Sequence, residues 1–494
     1  MAYFKTPSMI LTMFSLCSIF NLIQGRILTS MPLNEPYKNS QISMPPSQAP
    51  NVNSPKPPSY YNIAASPALS PSYVNDGSSN NTIVQENVFD VRSYGAIGNG
   101  LTDDTLAFKS AWDAACQVDN AKVVAPRGFS FMLQPLVFTG PCKSAVVFQL
   151  EGTIMPPDGP ESWPKNSSKR QWLIFYRIHG LTLQGGGLID GRGDKWWNLP
   201  CKPHKGINGT TLPGPCDSPV AIRFFGSTNL TLRGLRIINS PQFHIRVDSC
   251  QNVSVDSLVI KSPGNSPNTD GIHIENTKDV TIYNSVISNG DDCISIGANT
   301  HNLDIRNITC GPSHGISIGS LGVHNSKACV SNITVSNCMI KHSDNGVRIK
   351  TWQGGFGSVT GVTFEAIHMD TVRNPIIIDQ YYCLSTNCSN QTAAISISEI
   401  SYSNIKGTYD PRTPPVHLAC SDAVPCTNIT VSGLELLPTA TAAMTMATGH
   451  KRKMEPFCWN AYGSNVGDLT TPPIYCLLEG LPYLGVSGSD VGYC

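Results

Sequence analysis

The sequence is poor in charge. Asp, Glu, Lys and Arg make up 14% of its 494 residues, and their signs cancel to a formal net charge of zero. Bulk electrostatics therefore gives no reason to expect a nucleic-acid or anionic-membrane partner. No Cys-x-x-Cys pair occurs either, which argues against a zinc site. The apolar stretch from Met9 to Ile23 is short and interrupted by Ser, Thr and Asn, and so suits a membrane span poorly. No helical period lies between the strand-like segments, as α/β crossovers would require. The Leu-rich consensus of leucine-rich repeats is absent, and a β-propeller would want four antiparallel strands per period of about 40 residues.

The remainder is rich in Gly, Asn, Ser and Thr, as suits a β-rich protein with many tight turns, and a 40% hydrophobic content allows a large core. Lys5, the apolar stretch and Gly25 together read as a secretory signal over residues 1–25. Residues 26–84, dense in Pro, Ser and Asn, read as a disordered linker or a removable pro-segment. The third segment, residues 85–494, is the folded domain. Cys17 would leave with the signal, and the remaining cysteines are even in number, as an oxidising compartment favours. Cys329/Cys338, Cys383/Cys388 and Cys420/Cys426 are close enough in sequence to close local loops, although spacing does not fix pairing. Asn-x-Ser/Thr sequons include Asn166, Asn208, Asn229, Asn252, Asn307, Asn332 and Asn428. Several of these coincide with the polar edges of repeat strands.

Order is expected near Val88, with a strand at Phe89-Asp90-Val91 and turns from Tyr94-Gly95-Ala96 to Gly98-Asn99-Gly100. Asp103-Asp104-Thr105 predicts the cap of a helix carrying Leu106, Phe108, Ala111, Trp112 and Ala115. Such a helix would cover the exposed core at the end of a repeat array. Short alternating strands then recur. One set runs through Leu181-Thr182-Leu183, Leu230-Thr231-Leu232, Val253-Ser254-Val255, Val280-Thr281-Ile282, Leu303-Asp304-Ile305 and Ile333-Thr334-Val335. A second, interleaved set contains Ile272-His273-Ile274, Ile294-Ser295-Ile296, Ile316-Ser317-Ile318, Val347-Arg348-Ile349 and Ile376-Ile377-Ile378. Two interleaved ladders predict at least two parallel sheets, and the natural solution is an all-β, right-handed parallel β-helix.

In the second set, Asp270, Asp292 and His314 stand 22 residues apart, each followed by a small residue and Ile-x-Ile. Stacked strands lie about 4.8 Å apart, so equivalent positions on successive turns form a ladder. Alternation puts the isoleucines inside and His273, Ser295, Ser317 and Arg348 on one outer row, with Lys350 one step along, facing solvent. Asp270, Asp291, Asp292 and His314 fall where the chain bends into the strands. Two carboxyl groups flanking a bond are the minimum for glycoside hydrolysis. Crowding three should keep one protonated as an acid. Arg348 and Lys350 suit a carboxylate-bearing substrate, and an anionic sugar polymer meets both demands.

The motifs Asn268-Thr269-Asp270, Gly290-Asp291-Asp292-Cys293, His314-Gly315 and Arg348-Ile349-Lys350, in this order, resemble the four hallmark segments of the polygalacturonases. Pro375-Ile376-Ile377 leading to Tyr382-Cys383 resembles a fifth, and the likeness runs from about residue 88 to 480. The Pro-rich segment and cysteine pattern are similar to those of plant members. The resemblance implies inverting hydrolysis of α-1,4-galacturonan in pectin by a secreted, monomeric, cell-wall enzyme without metal or organic cofactor. By the family's roles, Asp291 is the acid, Asp270 and Asp292 hold and deprotonate the water, and His314 tunes the acid. Arg348, Lys350, Asn268 and Tyr382 bind substrate. Inversion further implies an acid–base separation of roughly 6.5–9.5 Å. Ser313 departs from the glycine common there, and is expected to nudge the imidazole or stiffen its turn. Two other readings stay open: a calcium-dependent pectate lyase using the same carboxylates, and a pectin-binding wall protein without turnover.

Overall fold

The computed structural model describes residues 86–165, 167–199, 218–384, 388, 390–439, 454–466, 470–482 and 494, with the backbone of 204–205 and 211–212. The signal and Pro-rich segments, Asn166, Cys201, Asn208, Cys216 and the basic run His450-Lys451-Arg452-Lys453 lie outside the described residues.

Each repeat alternates apolar and polar residues, and the fold turns that alternation into an inside and an outside. Among the described residues the strands form parallel sheets of 13, 12 and 11 strands, one strand from each sheet per coil. Leu181, Leu230, Val253, Val280, Leu303, Ile333 and Val362 sit in register from coil to coil and are all buried. Phe138, Phe175 and Phe224 stack face to face along the axis, with ring centroids 4.8 and 5.1 Å apart. That is the spacing of parallel strands, so the stack follows the coil repeat. Among the described residues no helix is long and apolar enough to cross a membrane.

The two ladders of the sequence are the 13-stranded and 11-stranded sheets. The third, 12-stranded sheet consists largely of three-residue strands such as Leu188–Asp190, Arg236–Ile238 and Val259–Lys261. Each of these buries a single side chain (Ile189, Ile237, Ile260), which is too little for a period to show.

On the 13-stranded sheet five successive coils carry a residue with a left-handed backbone at one register position. Asn229, Asn252, Asp279, Asn302 and Asn332 have φ of 55, 55, 60, 59 and 55°. Asn and Asp tolerate this conformation better than other side-chain-bearing residues. Their side chains also link successive coils: Asn252 Nδ2 donates to Asn229 Oδ1 at 2.7 Å, Asn302 to Asp279 at 2.9 Å and Asn332 to Asn302 at 2.9 Å. A left-handed Asn, an inward apolar residue and an outward Thr or Ser spell a sequon, so the motif at Asn229, Asn252, Asn332 and Asn428 follows from this geometry.

The helix Thr105–Ala115 buries Phe108, Ala111, Trp112 and Ala115 over the first coils, and Trp112 Nε1 donates to the Thr139 carbonyl at 3.1 Å. Leu106, expected on the buried face, is 77% exposed. The capping duties are divided. Asp103 accepts from the Thr105 N–H at 3.0 Å, whereas buried Asp104 turns back to accept from Ile97 N at 2.7 Å and Gly98 N at 3.1 Å. Asp104 thereby pins the preceding turn.

Disulfides join Cys116–Cys142, Cys293–Cys310, Cys383–Cys388, Cys420–Cys426 and Cys458–Cys476. The proposed Cys329–Cys338 loop is not formed. Cys329 pairs with Cys494, while Cys338 points into the core and remains a buried free thiol, as does Cys250.

Candidate active site

The strand starts of the 11-stranded sheet are tied to one another by backbone hydrogen bonds. His244 N donates to Asp270 O at 2.9 Å, Gly271 N to Asp292 O at 2.9 Å, and His314 N to Asp291 O at 2.7 Å. The coils approach so closely that a Cβ on Gly271 would meet Cys293 O at 2.5 Å, and one on Gly315 would meet Asn345 O at 2.2 Å. Gly315 also has φ +83°. The glycines after Asp270 and His314 are therefore steric requirements of the stack. Thr269 adds a tie: its hydroxyl donates to Ser266 O at 3.0 Å and accepts from Gly290 N at 3.0 Å, fixing the Asp270 coil to the Asp291 coil.

This register brings the sequence-predicted residues together. Arg246, His273, Ser295, Ser317 and Arg348 form one outward row, as alternation requires. The cations nevertheless do not face open solvent. Arg348 Nη2 lies 2.8 Å from Asp292 Oδ1 and Lys350 Nζ 2.8 Å from Asp292 Oδ2, and both side chains are largely covered. Ser317 Oγ donates to the same Oδ1 at 2.8 Å and accepts from Arg348 Nε at 3.1 Å. Alternation gives the side of the sheet but not the reach of a long side chain, which here folds back onto the strand start. Burial pushes the Asp292 carboxyl up, but the charges of Lys350 and Arg348 outweigh it and hold the group below the ordinary carboxylate range.

Asp291 is buried and meets His314, whose Nδ1 lies 3.0 Å from its Oδ1. The same oxygen accepts from Asp292 N at 3.0 Å. Burial alone would lower the His314 pKa; the hydrogen bond and charge of Asp291, with the charge of Asp292, raise it above the ordinary imidazole value. One ligand atom each of Asp291, Asp292 and His314 fall within 4.8 Å of one another. The Asp291 and Asp292 oxygens are thus closer than the roughly 6.5–9.5 Å expected of an inverting acid and base. Calcium does not suit this donor set. Both Asp292 oxygens already serve cationic side chains, and calcium prefers oxygen to imidazole nitrogen.

Asn268, buried with φ 55°, holds an amide nitrogen that lacks a hydrogen-bond partner. Tyr382 lies on the neighbouring strand, its ring centroid 5.5 Å from Lys350 Nζ and 5.4 Å from the Trp352 ring. Ser313 braces the imidazole turn. Its hydroxyl accepts from Gly315 N at 2.9 Å and meets Ser343 Oγ, one coil on, at 2.9 Å.

Sequence reasoning missed two polar residues of this ladder. His244 is fully buried between Asp270 O, 3.1 Å from Nδ1, and Ser262 Oγ, 2.8 Å from Nε2, and burial lowers its pKa to about 4. Asp344 lies 3.7 Å from His314 Nε2. Both were findable, because Phe243-His244-Ile245-Arg246-Val247 and Asp344-Asn345-Gly346-Val347-Arg348-Ile349 continue the repeat on either side.

Crowded carboxylates, an imidazole and two cations on one face of a parallel β-helix define an acid–base site of the kind that cleaves sugar polymers. Comparison with known proteins gives the family. The description "Glycosyl hydrolases family 28" matches residues 116–452, and the chain belongs to this family of glycoside hydrolases. A probable polygalacturonase of Arabidopsis thaliana is 42% identical over 81% of this chain and 86% of its own length. A polygalacturonase of Cryptomeria japonica is 42% identical over 71% of this chain and 67% of its own. Among solved structures, an endo-xylogalacturonan hydrolase from Aspergillus tubingensis has a TM-score of 0.60 at 26% identity, covering 72% of this chain and 94% of that one. The polygalacturonase from Erwinia carotovora has a TM-score of 0.58 at 22% identity, covering 79% of this chain and all of that one, a likeness of fold.

Proposed function

We propose that the protein is a secreted polygalacturonase acting in the cell wall, which cleaves α-1,4-galacturonosyl linkages of pectic homogalacturonan by single displacement with inversion. The observation that carries the reading is the state of Asp292. Both of its oxygens are held by cations, so it stays ionised and is ill placed to attack an anomeric carbon itself. Attack would break two ion pairs, whereas orienting a water breaks none. We weigh this above the short Asp291–Asp292 spacing, which taken by itself would favour a covalent route. Asp292 therefore positions the nucleophile, and Asp270, one coil earlier, shares the acceptance of its proton. Asp291 protonates the leaving oxygen, and the imidazolium of His314 stabilises the carboxylate that remains.

Arg348 and Lys350 have a second part, as the positive ground on which a galacturonate carboxylate rests. Tyr382 lines the cleft beside them, and the unpartnered amide of Asn268 is a donor for substrate or for the attacking water. The plant relatives named polygalacturonases support the substrate class, and the disulfides support an oxidising compartment.

The test compares the protein with Asp292→Asn on de-esterified polygalacturonate with and without EDTA, following reducing ends, ultraviolet absorbance and, by proton NMR, the first-formed anomer. Reducing ends without absorbance, a β-anomer released first, and a loss of about 10³-fold in the variant are expected. Absorbance abolished by EDTA would mean a lyase, and an α-anomer would replace inversion with a covalent route. Binding without turnover would leave a wall-binding protein.

A further inference from the structure

His314 is engaged on both ring nitrogens. Nδ1 meets buried Asp291 at 3.0 Å, and Nε2 faces Asp344 Oδ2 at 3.7 Å. The other charges acting on the ring include Asp292 on the preceding coil and Arg348 on the following one. An imidazole with a carboxylate hydrogen-bonded at one nitrogen and a second carboxylate within ion-pair distance of the other is favoured as the doubly protonated cation.

The backbone holds Asp344 in place. Its N–H donates to Ser313 O at 2.9 Å, and its carbonyl accepts from Asn374 N at 3.0 Å and Asn374 Nδ2 at 2.8 Å. The Ser313–Ser343 hydroxyl contact fastens the same two coils a second time, and Asn345 Nδ2 donates to the His314 carbonyl at 3.1 Å. The coil carrying Asp344 is thus strapped to the coil carrying His314 on both sides of the imidazole turn. The side chain of Asp344 is itself more than half exposed and bears no part of the core.

We propose that Asp344 is a positioning residue that acts through His314, holding the imidazole charged and aimed at Asp291 during turnover. The proposal rests on the assignment of Asp291 as the acid. In that scheme the carboxylate left by proton transfer is stabilised only while His314 carries its proton. Loss of the Asp344 charge therefore moves the alkaline limb of the rate profile to lower pH, and the chemistry at the optimum continues. An exposed ion pair of this kind is worth a shift of about half a pH unit.

The experiment uses full-length protein and its Asp344→Asn and Asp344→Glu variants. The His314 imidazole is titrated by nitrogen-15 NMR, and kcat and KM for an oligogalacturonate are measured across pH. In Asp344→Asn the imidazole midpoint and the alkaline limb are expected to fall together by about half a unit with KM unchanged, and Asp344→Glu restores both. An unmoved imidazole midpoint would overturn the proposal. So would a severalfold rise in KM with the limb in place, since Asp344 would then be a substrate contact. The NMR midpoint needs no turnover, so a protein silent on galacturonan would sink the functional reading and leave the His314–Asp344 coupling to be judged separately.

Discussion

Asp292 is ionised because two cations outweigh the penalty of its burial, so removing one cation has a definite sign. Lys350→Met leaves Arg348 alone against desolvation, and the Asp292 pKa rises. The acidic limb of the rate profile then moves to higher pH, and kcat at the optimum falls by about 10²-fold. An unchanged acidic limb would show that Asp292 is not the group titrating there. The same two groups bracket stability. Asp292, depressed when folded, contributes stability above its unfolded pKa of about 3.9, which is lost as pH falls through the folded value. His314, raised when folded, contributes below about 6.5, and that contribution is lost as pH rises through the folded value. Thermal stability in buffers of equal ionic strength should therefore peak between these values, and Lys350→Met should erode the acidic side first. The residues themselves were legible in the sequence because each recurs at one point of the repeat. The pairing of Arg348 and Lys350 with Asp292 was not, because a period fixes where a side chain starts and leaves open where it ends.

At the scale of elements, the left-handed Asn ladder does the work of a turn motif without glycine. Asn302 combines φ 59° with hydrogen bonds to the coils on either side. Asn302→Ala keeps a Cβ in that conformation and loses both bonds, so it should cost about 1–2 kcal/mol in denaturant unfolding. Asn302→Gly relieves the backbone while losing the same bonds, and should cost less. Equal losses would mean that the bonds, not the backbone, carry the effect. Strands of the two longer sheets could be read from alternation because each shows two or more inward side chains. The 12-stranded sheet was invisible for the opposite reason, with one inward side chain per short strand. The Cys329–Cys338 loop failed on a similar point: nearness in sequence says nothing about which way a thiol faces, and that of Cys338 faces the core.

Across the whole molecule, each coil is buried only by its neighbours, so the terminal coil needs a cover. The helix Thr105–Ala115 supplies it, and Trp112 packs against Phe138, Phe148 and Phe175. Trp112→Ala should cost about 3–5 kcal/mol and open the first coils to hydrogen exchange before those around Asp292. A loss below about 1 kcal/mol would show that the helix is not the cover. The solenoid as a whole was legible because one spacing repeats for much of the chain, and a repeat is the signal least disturbed by local exceptions. Stacking has one more consequence. Distances along the axis come in steps of about 4.8 Å, so heritable changes of length are tolerable only as complete turns of chain. A turn gained beyond Ala461 would lengthen the protein and leave its chemistry alone. One gained between Cys293 and His314 would carry the imidazole a full step from Asp291, beyond hydrogen-bond reach. Lineages can therefore add or lose whole turns towards the ends so long as a cover remains, while the stretch from Asp270 to Lys350 keeps a fixed number of turns.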